Sequence, residues 1–299
     1  MDSEVRLKLA VQKSGRLTDP SLDLLARCGL KLSRGKDQLM GFGENMPLDV
    51  LFVRDDDIPD LVQEDVCDLG LVGLNVLEEK RLELAVRGSP ARFRTVRALE
   101  FGRCRLSLAV PEGTHYGGIG SLAGKRIATT YPYLLGQFLR ERDVRAEIVT
   151  LSGAVEIAPR LGRSDLICDL VSTGSTLQAN HLREVETVLE SHAVLIRTPL
   201  ELAHAKDEWV SRLLMRIDGV QQVHESKYIM LHAPRAALAE ICRLLPGSES
   251  PTIIPLEGHP DRVAVHAVCR ENVFWETLEA LKKAGASALL VLPVEKMLA

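Results

Sequence analysis

SDLICDLVSTGST, residues 164–176, places a short apolar strand directly before a loop of glycine and hydroxyl residues. Asp169 lies near the end of this strand, and a helix is predicted to start near Leu177. Backbone N–H groups, hydroxyl donors and a helix N-terminus together suit a phosphate group, and the preceding acid could accept hydrogen bonds from ribose hydroxyls. A capped turn, with Ser175 or Thr176 as N-cap, is also compatible with these residues. Both interpretations stay open on this stretch alone.

The remainder of the N-terminal two thirds alternates between short apolar runs and helical patterns. This alternation predicts an α/β architecture with a mostly parallel sheet. Strands are predicted at 6–12, 48–53, 68–73, 104–111, 124–132, 147–151 and 166–171, and a further strand pair at 185–190 and 192–198. Helices are predicted at 21–28, at 58–66, from 76 onward, at 133–142 and at 155–161.

The C-terminal part has a different pattern, after an amphipathic helix predicted at 206–220. Strand, helix, strand, strand, helix and strand are predicted at 226–234, 235–244, 252–256, 262–269, 274–284 and 288–297. This β-α-β-β-α-β order is typical of ferredoxin-like domains. Many small domains of this order are regulatory, although a fold alone does not establish a function.

Composition excludes several classes of function. The 299 residues are 46% hydrophobic, enough for a large core divided into two or three domains. A net charge of −4 and an aromatic content of 4% argue against nucleic-acid binding. The six cysteines are scattered without a C-x-x-C pair, which gives no indication of zinc. No apolar run approaches membrane-spanning length and the N-terminus has no apolar signal segment, so we expect a cytoplasmic protein without a membrane partner.

Two stretches near the N-terminus carry candidate cations. QKSGRL at 12–17 sets Lys13, Gly15 and Arg16 just beyond the first predicted strand, the edge where open α/β sheets bind ligands. RDDDIPD at 54–60 contains the letters D-D-x-x-D, which bind magnesium pyrophosphate in all-helical enzymes. Here the stretch follows a strand, so Asp57 is interpreted as a helix N-cap and Arg54 as the functional candidate.

A nucleophile for covalent catalysis is not evident. The eight histidines show no metal-ligand spacing, and neither a G-x-S-x-G elbow nor a convincing Cys-His pair occurs. This pattern favours direct displacement between two bound substrates, driven by positioning and electrostatics.

Taken together, these stretches resemble the ATP phosphoribosyltransferase family along essentially the whole chain. The C-terminal domain resembles that of the long form, which needs no separate regulatory subunit. The matching stretches are QKSGRL at 12–17, RDDDIP at 54–59, DLGLVG-x-NVLEE at 68–79, KRIATTYP at 125–132, SGAVEIAPRLG at 152–162, DLVSTGSTL at 169–177, ESKYIMLHAP at 225–234, SPTIIPL at 250–256 and VLPVEKM at 291–297.

The resemblance implies a two-lobed catalytic body similar to periplasmic binding proteins, with the active site in the cleft. A C-terminal ferredoxin-like (ACT-like) regulatory domain would follow. The implied bounds are 1–97 for the first part of lobe I, 98–182 for lobe II, 183–222 for the return to lobe I and the linking helix, and 223–299 for the regulatory domain.

Residue roles are also implied by the resemblance. Asp169, Arg16 and Arg54 would be catalytic. Phosphoribosyl pyrophosphate (PRPP) would be bound on lobe II by Asp169, Leu170, Val171, Ser172, Thr173, Gly174, Ser175 and Thr176, with Glu156 a further candidate. ATP or pyrophosphate would be contacted from lobe I by Lys13, Gly15, Arg16, Arg54 and Asn75. Ser14, Asp56 and Asn75 differ from the residues of many relatives at these positions, so the pyrophosphate contacts stay open.

The implied reaction joins N1 of the adenine of ATP to C1 of the ribose of PRPP and releases pyrophosphate, the first step of histidine biosynthesis. Mg²⁺ would be carried mainly by the substrates, histidine would inhibit through the C-terminal domain, and the chain would form a homo-oligomer, a dimer or a hexamer. Two alternatives remain: a prephenate-dehydratase-like enzyme, whose Thr-Arg-Phe triplet is absent here, and a non-catalytic solute-binding or sensor protein.

Overall fold

The computed structural model describes residues 6–35, 38–222, 226–245, 250–295 and 297. Glu225 and Lys296, which belong to two of the quoted motifs, and the expected domain start at residue 223 lie outside these ranges. The chain forms two compact units, residues 1–210 and 211–299.

A seven-stranded sheet with three helices, here called lobe I, forms one part of the first unit. Its strands are β1 (Leu7–Gln12), β2 (Leu32–Ser33), β3 (Met40–Gly43), β4 (Leu48–Val53), β5 (Leu69–Gly73), β6 (Arg94–Ala98) and β12 (Ala193–Arg197), and its helices are α1 (Thr18–Arg27), α2 (Ile58–Gln63) and α3 (Leu74–Val86). The spatial order is β2-β3-β4-β1-β5-β12-β6, with β1 parallel to both β4 and β5. Every residue of β5 is buried, as expected for a strand covered on both faces.

A five-stranded sheet, here called lobe II, forms the other part. Its strands are β7 (Cys104–Pro111), β8 (Arg126–Thr129), β9 (Glu147–Thr150), β10 (Leu166–Val171) and β11 (Leu182–Ser191), and its helices are α4 (Pro132–Glu141) and α5 (Ser175–Ala179). The spatial order is β11-β7-β10-β8-β9. The sheet carries an apolar cluster that includes Leu106, Ile127 and Phe138, and another that includes Ala109, Val155 and Val171.

The chain crosses between the lobes twice, at residues 99–103 and at His192. The two crossings are hydrogen-bonded to each other, because Leu99 N donates to Ala193 O at 2.9 Å and Ala193 N donates to Phe101 O at 3.0 Å. The return to lobe I therefore follows Ser191, whereas the sequence places it after residue 182.

Several expected elements differ in the structure. The helix predicted at 155–161 is wrong: only a 3₁₀ turn, Val155–Ile157, forms there, because Pro159 has no N–H to donate to the carbonyl of Val155. The strands predicted at 185–190 and 192–198 both form, as β11 and β12, but they belong to different sheets. The short strands β2 and β3 and the polar strand β6 were not predicted.

The second unit begins within helix α6 (His204–Gln221) and has its own four-stranded sheet. Its further elements are β13 (Ser226–Pro234), α7 (Leu238–Leu244), β14 (Thr252–Leu256), β15 (His259–Arg270), α8 (Glu271–Lys283) and β16 (Ser287–Pro293). The strand order β14-β15-β13-β16 is antiparallel throughout, which confirms the predicted ferredoxin-like arrangement. Across both units, the helices of the described residues include none with the length and apolar character needed to cross a membrane.

Candidate active site

The loop at the end of β10 presents a group of exposed hydroxyls. Ser172, Thr173, Ser175 and Thr176 are all exposed, and Thr173 Oγ1 lies 3.1 Å from Ser175 Oγ. The N-cap of α5 is Gly174, with a left-handed φ of +83°, rather than the expected Ser175 or Thr176. Thr173 Oγ1 accepts a long hydrogen bond from Ser175 N, at 3.5 Å, whereas neither Ser175 nor Thr176 caps the helix with its own hydroxyl.

Asp169 lies three residues before Ser172, the first residue of this loop, and is partly buried in β10. Its Oδ1 accepts a hydrogen bond from Leu170 N at 2.8 Å. Burial raises the pKa of Asp169, and the negative charge of Glu156 raises it further. Glu156, on the 3₁₀ turn, is therefore within electrostatic reach of Asp169.

On lobe I, the two candidate cation loops follow neighbouring parallel strands. Lys13 and Gly15 are exposed after β1, and Arg54 is exposed directly after β4. Lys13 N donates to Val53 O at 2.7 Å, which ties the two strand ends together. Strands β1 and β4 pair in a register that aligns Leu7 with Leu48, 41 residues later in the sequence. This pairing brings together two loops that are distant in sequence.

Arg16 and Asn75 are connected within a network rather than placed on an open surface. The guanidinium of Arg16 donates to Gly102 O in the first crossing and, through Nη2, to Asn75 Oδ1 at 3.0 Å. Asn75 is 0% exposed. Its Nδ2 donates to the hydroxyl of Tyr131 at 2.9 Å, and its Oδ1 also accepts from Ser191 Oγ at 2.8 Å. The Asn75 side chain therefore forms hydrogen bonds with Arg16 of lobe I and with Tyr131 and Ser191 of lobe II.

The carboxyl groups of Asp55 and Asp56, on lobe I, interact electrostatically with members of this network. Burial raises the pKa of Asp55 to about 6, while Arg16 opposes the rise and Asp56 adds to it. Tyr131 has its pKa raised mainly by burial, and the charges of Asp56, Asp55 and Asp169 raise it further. The hydroxyl of Tyr131 therefore lies within electrostatic reach of acids from both lobes.

A cavity of about 470 Å³ lies between helix α3 of lobe I and the start of α4 of lobe II. Asp169, Arg16 and Arg54 are not among the residues around it. The cavity is lined by Asp56, Asp57, Asp60, Val76, Glu79, Lys80, Glu83, Thr130, Tyr131, Pro132, Tyr133 and Thr150. Asp57 occupies the N-cap position of α2, as expected, but its side chain makes no capping hydrogen bond.

Tyr131, Ser191 and Glu79 make contacts in this network and its surroundings that the sequence does not predict. Tyr131 belongs to the quoted stretch KRIATTYP, so its neighbourhood was marked but its role was not. Glu79 ends the quoted stretch DLGLVG-x-NVLEE, whereas Ser191 belongs to none of the quoted stretches. The partners of Ser191 and Glu79 are 116 and 54 residues away in sequence. Only the folded chain reveals these contacts.

A divalent metal was expected to accompany the substrates. In the part of the chain that the structure describes, no group of three or more His, Cys, Asp or Glu side chains is arranged to hold a metal ion.

These features define a two-lobed α/β body of the periplasmic-binding-protein type, with polar groups of both lobes converging between them, followed by a ferredoxin-like domain. A family model described as "HisG: ATP phosphoribosyltransferase" matches residues 54–219, and one described as "HisG, C-terminal domain" matches residues 224–296. The chain belongs to the ATP phosphoribosyltransferase family. It is accordingly a pentosyltransferase that acts at the first step of histidine biosynthesis, and the prephenate-dehydratase-like and sensor alternatives are set aside.

Several solved structures are similar to this chain. The ATP phosphoribosyl transferase (HisG:HisZ) complex from Thermotoga maritima contains a chain that is 28% identical, with a TM-score of 0.58 over 71% of this chain and 96% of that chain. The alkanesulfonate-binding protein SsuA from Xanthomonas axonopodis pv. citri, bound to MOPS, is 16% identical, with a TM-score of 0.46 over 74% of this chain and 75% of that chain. The periplasmic VFT2 domain of Bordetella pertussis BvgS is 14% identical, with a TM-score of 0.46 over 71% and 86%.

Proposed function

We propose that the enzyme transfers the phosphoribosyl group of PRPP to N1 of the adenine of ATP in the cleft between lobes I and II. The observation that carries this proposal is the convergence of both lobes at Tyr131. Asp55 and Asp56 reach it electrostatically from lobe I, and Asp169 reaches it from lobe II, next to the hydroxyl loop. A substrate with a sugar phosphate at one end and a pyrophosphate at the other suits a site built from two such halves.

On lobe II, the loop from Ser172 to Thr176 would hold the 5-phosphate through hydroxyl and backbone N–H donors. Asp169 would accept hydrogen bonds from the ribose hydroxyls and, as a carboxylate, favour the positive charge that develops on the ribose ring. Its raised pKa means that burial disfavours the charged form in the free enzyme. Hydroxyl donors from a bound ribose would favour that charged form. Glu156 would add a second acceptor.

In the reaction, the bond between adenine N1 and ribose C1 forms while the bond between C1 and the pyrophosphate oxygen breaks. The electron pair of the broken bond leaves with pyrophosphate. Arg54 and Lys13, which are exposed on lobe I, would offset the charge that grows on this leaving group. Arg16 would act from its position in the network, and Gly15 and Asn75 stay predicted contacts. Mg²⁺ would be part of the nucleotide and PRPP complexes that bind.

Regulation and assembly form a separate part of the proposal. The ferredoxin-like second unit would bind histidine and inhibit the enzyme, in a homo-oligomer, a dimer or a hexamer. The Thermotoga maritima relative is in a complex with HisZ, whereas this chain carries its own C-terminal domain and would need no separate regulatory subunit. The cytoplasmic location stays a prediction.

The direct test is an absorbance assay with the purified protein, ATP, PRPP and Mg²⁺, with inorganic pyrophosphatase to remove one product. The N1-substituted adenine product should form and should depend on both substrates. Histidine should suppress its formation. Product that forms without histidine sensitivity would contradict the regulatory proposal alone, and the absence of both product and PRPP binding would contradict the catalytic one.

A further inference from the structure

Glu79 joins the two lobes through both of its carboxylate oxygens. It lies on α3 of lobe I and accepts hydrogen bonds from Tyr133 N and Leu134 N of lobe II, each at 2.8 Å. These two N–H groups belong to the first turn of α4, where a helix leaves its donors without internal partners. A carboxylate at a helix N-terminus is also favoured by the helix dipole. Each oxygen therefore has its own donor.

Helix α3 presents one face to lobe II. Asn75, Glu79 and Leu82 are spaced four and three residues apart, so they lie on the same side of the helix. Asn75 Nδ2 donates to the Tyr131 hydroxyl at 2.9 Å, and Leu82 packs against the apolar cluster of lobe II. Other residues of α3, such as Leu77, are buried in the core of lobe I. The helix is thus shared by the two lobes.

Tyr131 connects this shared helix to the reacting centre. It lies directly before α4, the helix that Glu79 holds, and its hydroxyl is bonded to Asn75, which in turn accepts from Arg16. Loss of the two Glu79 hydrogen bonds would leave α4 N–H groups unpaired and would release the start of α4 from lobe I. The groups of lobe I would then no longer be held in one orientation relative to those of lobe II.

We propose that Glu79 is a positioning residue that sets the orientation of the lobes required to bind PRPP at both ends. The inference rests on the proposed function, because it assigns the sugar phosphate to lobe II and the pyrophosphate to lobe I. A ligand that contacts both lobes loses affinity when the competent orientation is less populated, whereas a ligand of one lobe does not. Ribose 5-phosphate contains only the part of PRPP assigned to lobe II.

The test compares Glu79→Gln with the wild-type enzyme by calorimetric titration of PRPP and of ribose 5-phosphate. The amide has the same shape as the carboxylate but only one acceptor oxygen, so one N–H of α4 loses its partner. We expect PRPP affinity to fall about 3- to 30-fold, with ribose 5-phosphate affinity unchanged within about twofold. The matched control is Glu78→Gln, the adjacent residue of α3, whose carboxylate pairs with Arg81 at 3.4 Å on the same helix. This control should bind both ligands as the wild type does.

Binding of ribose 5-phosphate also reports that lobe II is folded in each variant. If Glu79→Gln does not fold, Glu79→Asp keeps the charge but is one methylene shorter, and the same selective loss of PRPP affinity is expected. Equal weakening of both ligands, or a lowered melting temperature with the ratio of the two affinities unchanged, would overturn the inference and leave the proposed function standing. A wild-type enzyme that binds neither ligand would overturn both.

Discussion

At the residue scale, Asp169 combines partial burial with a neighbouring acid, and both raise its pKa. We predict that Asp169→Ala lowers kcat/KM for PRPP about 100-fold or more, since two hydrogen bonds to a charged acceptor are lost. Steady-state kinetics with varied PRPP would measure the loss. Asp143→Asn is the matched control, because Asp143 is an exposed carboxylate of the same lobe with a positive φ that asparagine tolerates. Near-normal PRPP use by Asp169→Ala would refute its assignment to the ribose.

Asp55 gives a prediction on stability and pH. Burial raises its pKa from 3.8 to about 6. A carboxyl with a higher pKa in the folded state binds protons more tightly there, so folding is stabilised as the pH falls through about 6 toward 3.8. Above that window, the buried charge destabilises the fold in full.

Replacing this carboxyl by an amide removes the buried charge. The free energy of unfolding of Asp55→Asn, relative to the wild type, should rise by about 1 kcal/mol or more between pH 5 and pH 7.5, as measured by urea unfolding. Asp57→Asn removes an exposed carboxylate from the same turn and serves as the control. If the difference in the free energy of unfolding between Asp55→Asn and the wild type does not increase with pH, the carboxylate of Asp55 does not carry a destabilising buried charge.

At the element scale, the hydroxyl loop depends on the left-handed backbone of Gly174 at the start of α5. Alanine there meets no steric clash, since the nearest atom to an added Cβ is Val171 Cγ1 at 4.0 Å, but the left-handed conformation disfavours it by about 1–2 kcal/mol. We predict that Gly174→Ala raises KM for PRPP because the loop shifts to relieve this strain.

Gly162→Ala supplies a control of matched strain. Gly162 has a φ of +67° in the same lobe, and nothing lies within 4 Å of an added Cβ. Both variants should lose similar stability by thermal unfolding, while only Gly174→Ala should change KM for PRPP. A similar rise of KM in both variants would mean that general destabilisation of lobe II, rather than the loop, is responsible.

The elements differ in how far the sequence predicts them. Strand β10 and its loop are predicted well because their signal is local: an apolar run, then glycine and hydroxyls. The ferredoxin-like unit is predicted for the same reason, since its element order alone defines it. The crossing between the lobes at His192 is not predicted, because the hydrophobic pattern of a segment indicates that it forms a strand but not which sheet that strand joins. In the sequence, Glu79 has the pattern of an exposed acid on a helix. Its position between the lobes is evident only from its hydrogen bond with Tyr133 N, 54 residues away.

At the scale of the whole molecule, the division into two compact units at Val210 and Ser211 separates the proposed catalytic and regulatory parts. We predict that a chain ending at residue 222 keeps measurable ATP- and PRPP-dependent activity but loses inhibition by histidine. The absorbance assay with increasing histidine would compare it with the full chain. Inhibition that persists at the same histidine concentration would place the inhibitor site in the first unit.

The position of β12 between β5 and β6 has a consequence for how the protein is made. On the ribosome, the residues of β5 and β6 emerge long before 193–197, and all of lobe II is synthesised in between. Until β12 arrives, one edge of β5 offers unpaired backbone groups, a surface prone to wrong pairing with other nascent chains. Lobe II therefore has the opportunity to fold first. The sheet of lobe I is completed only when β12 is added, although most of its strands are synthesised before lobe II.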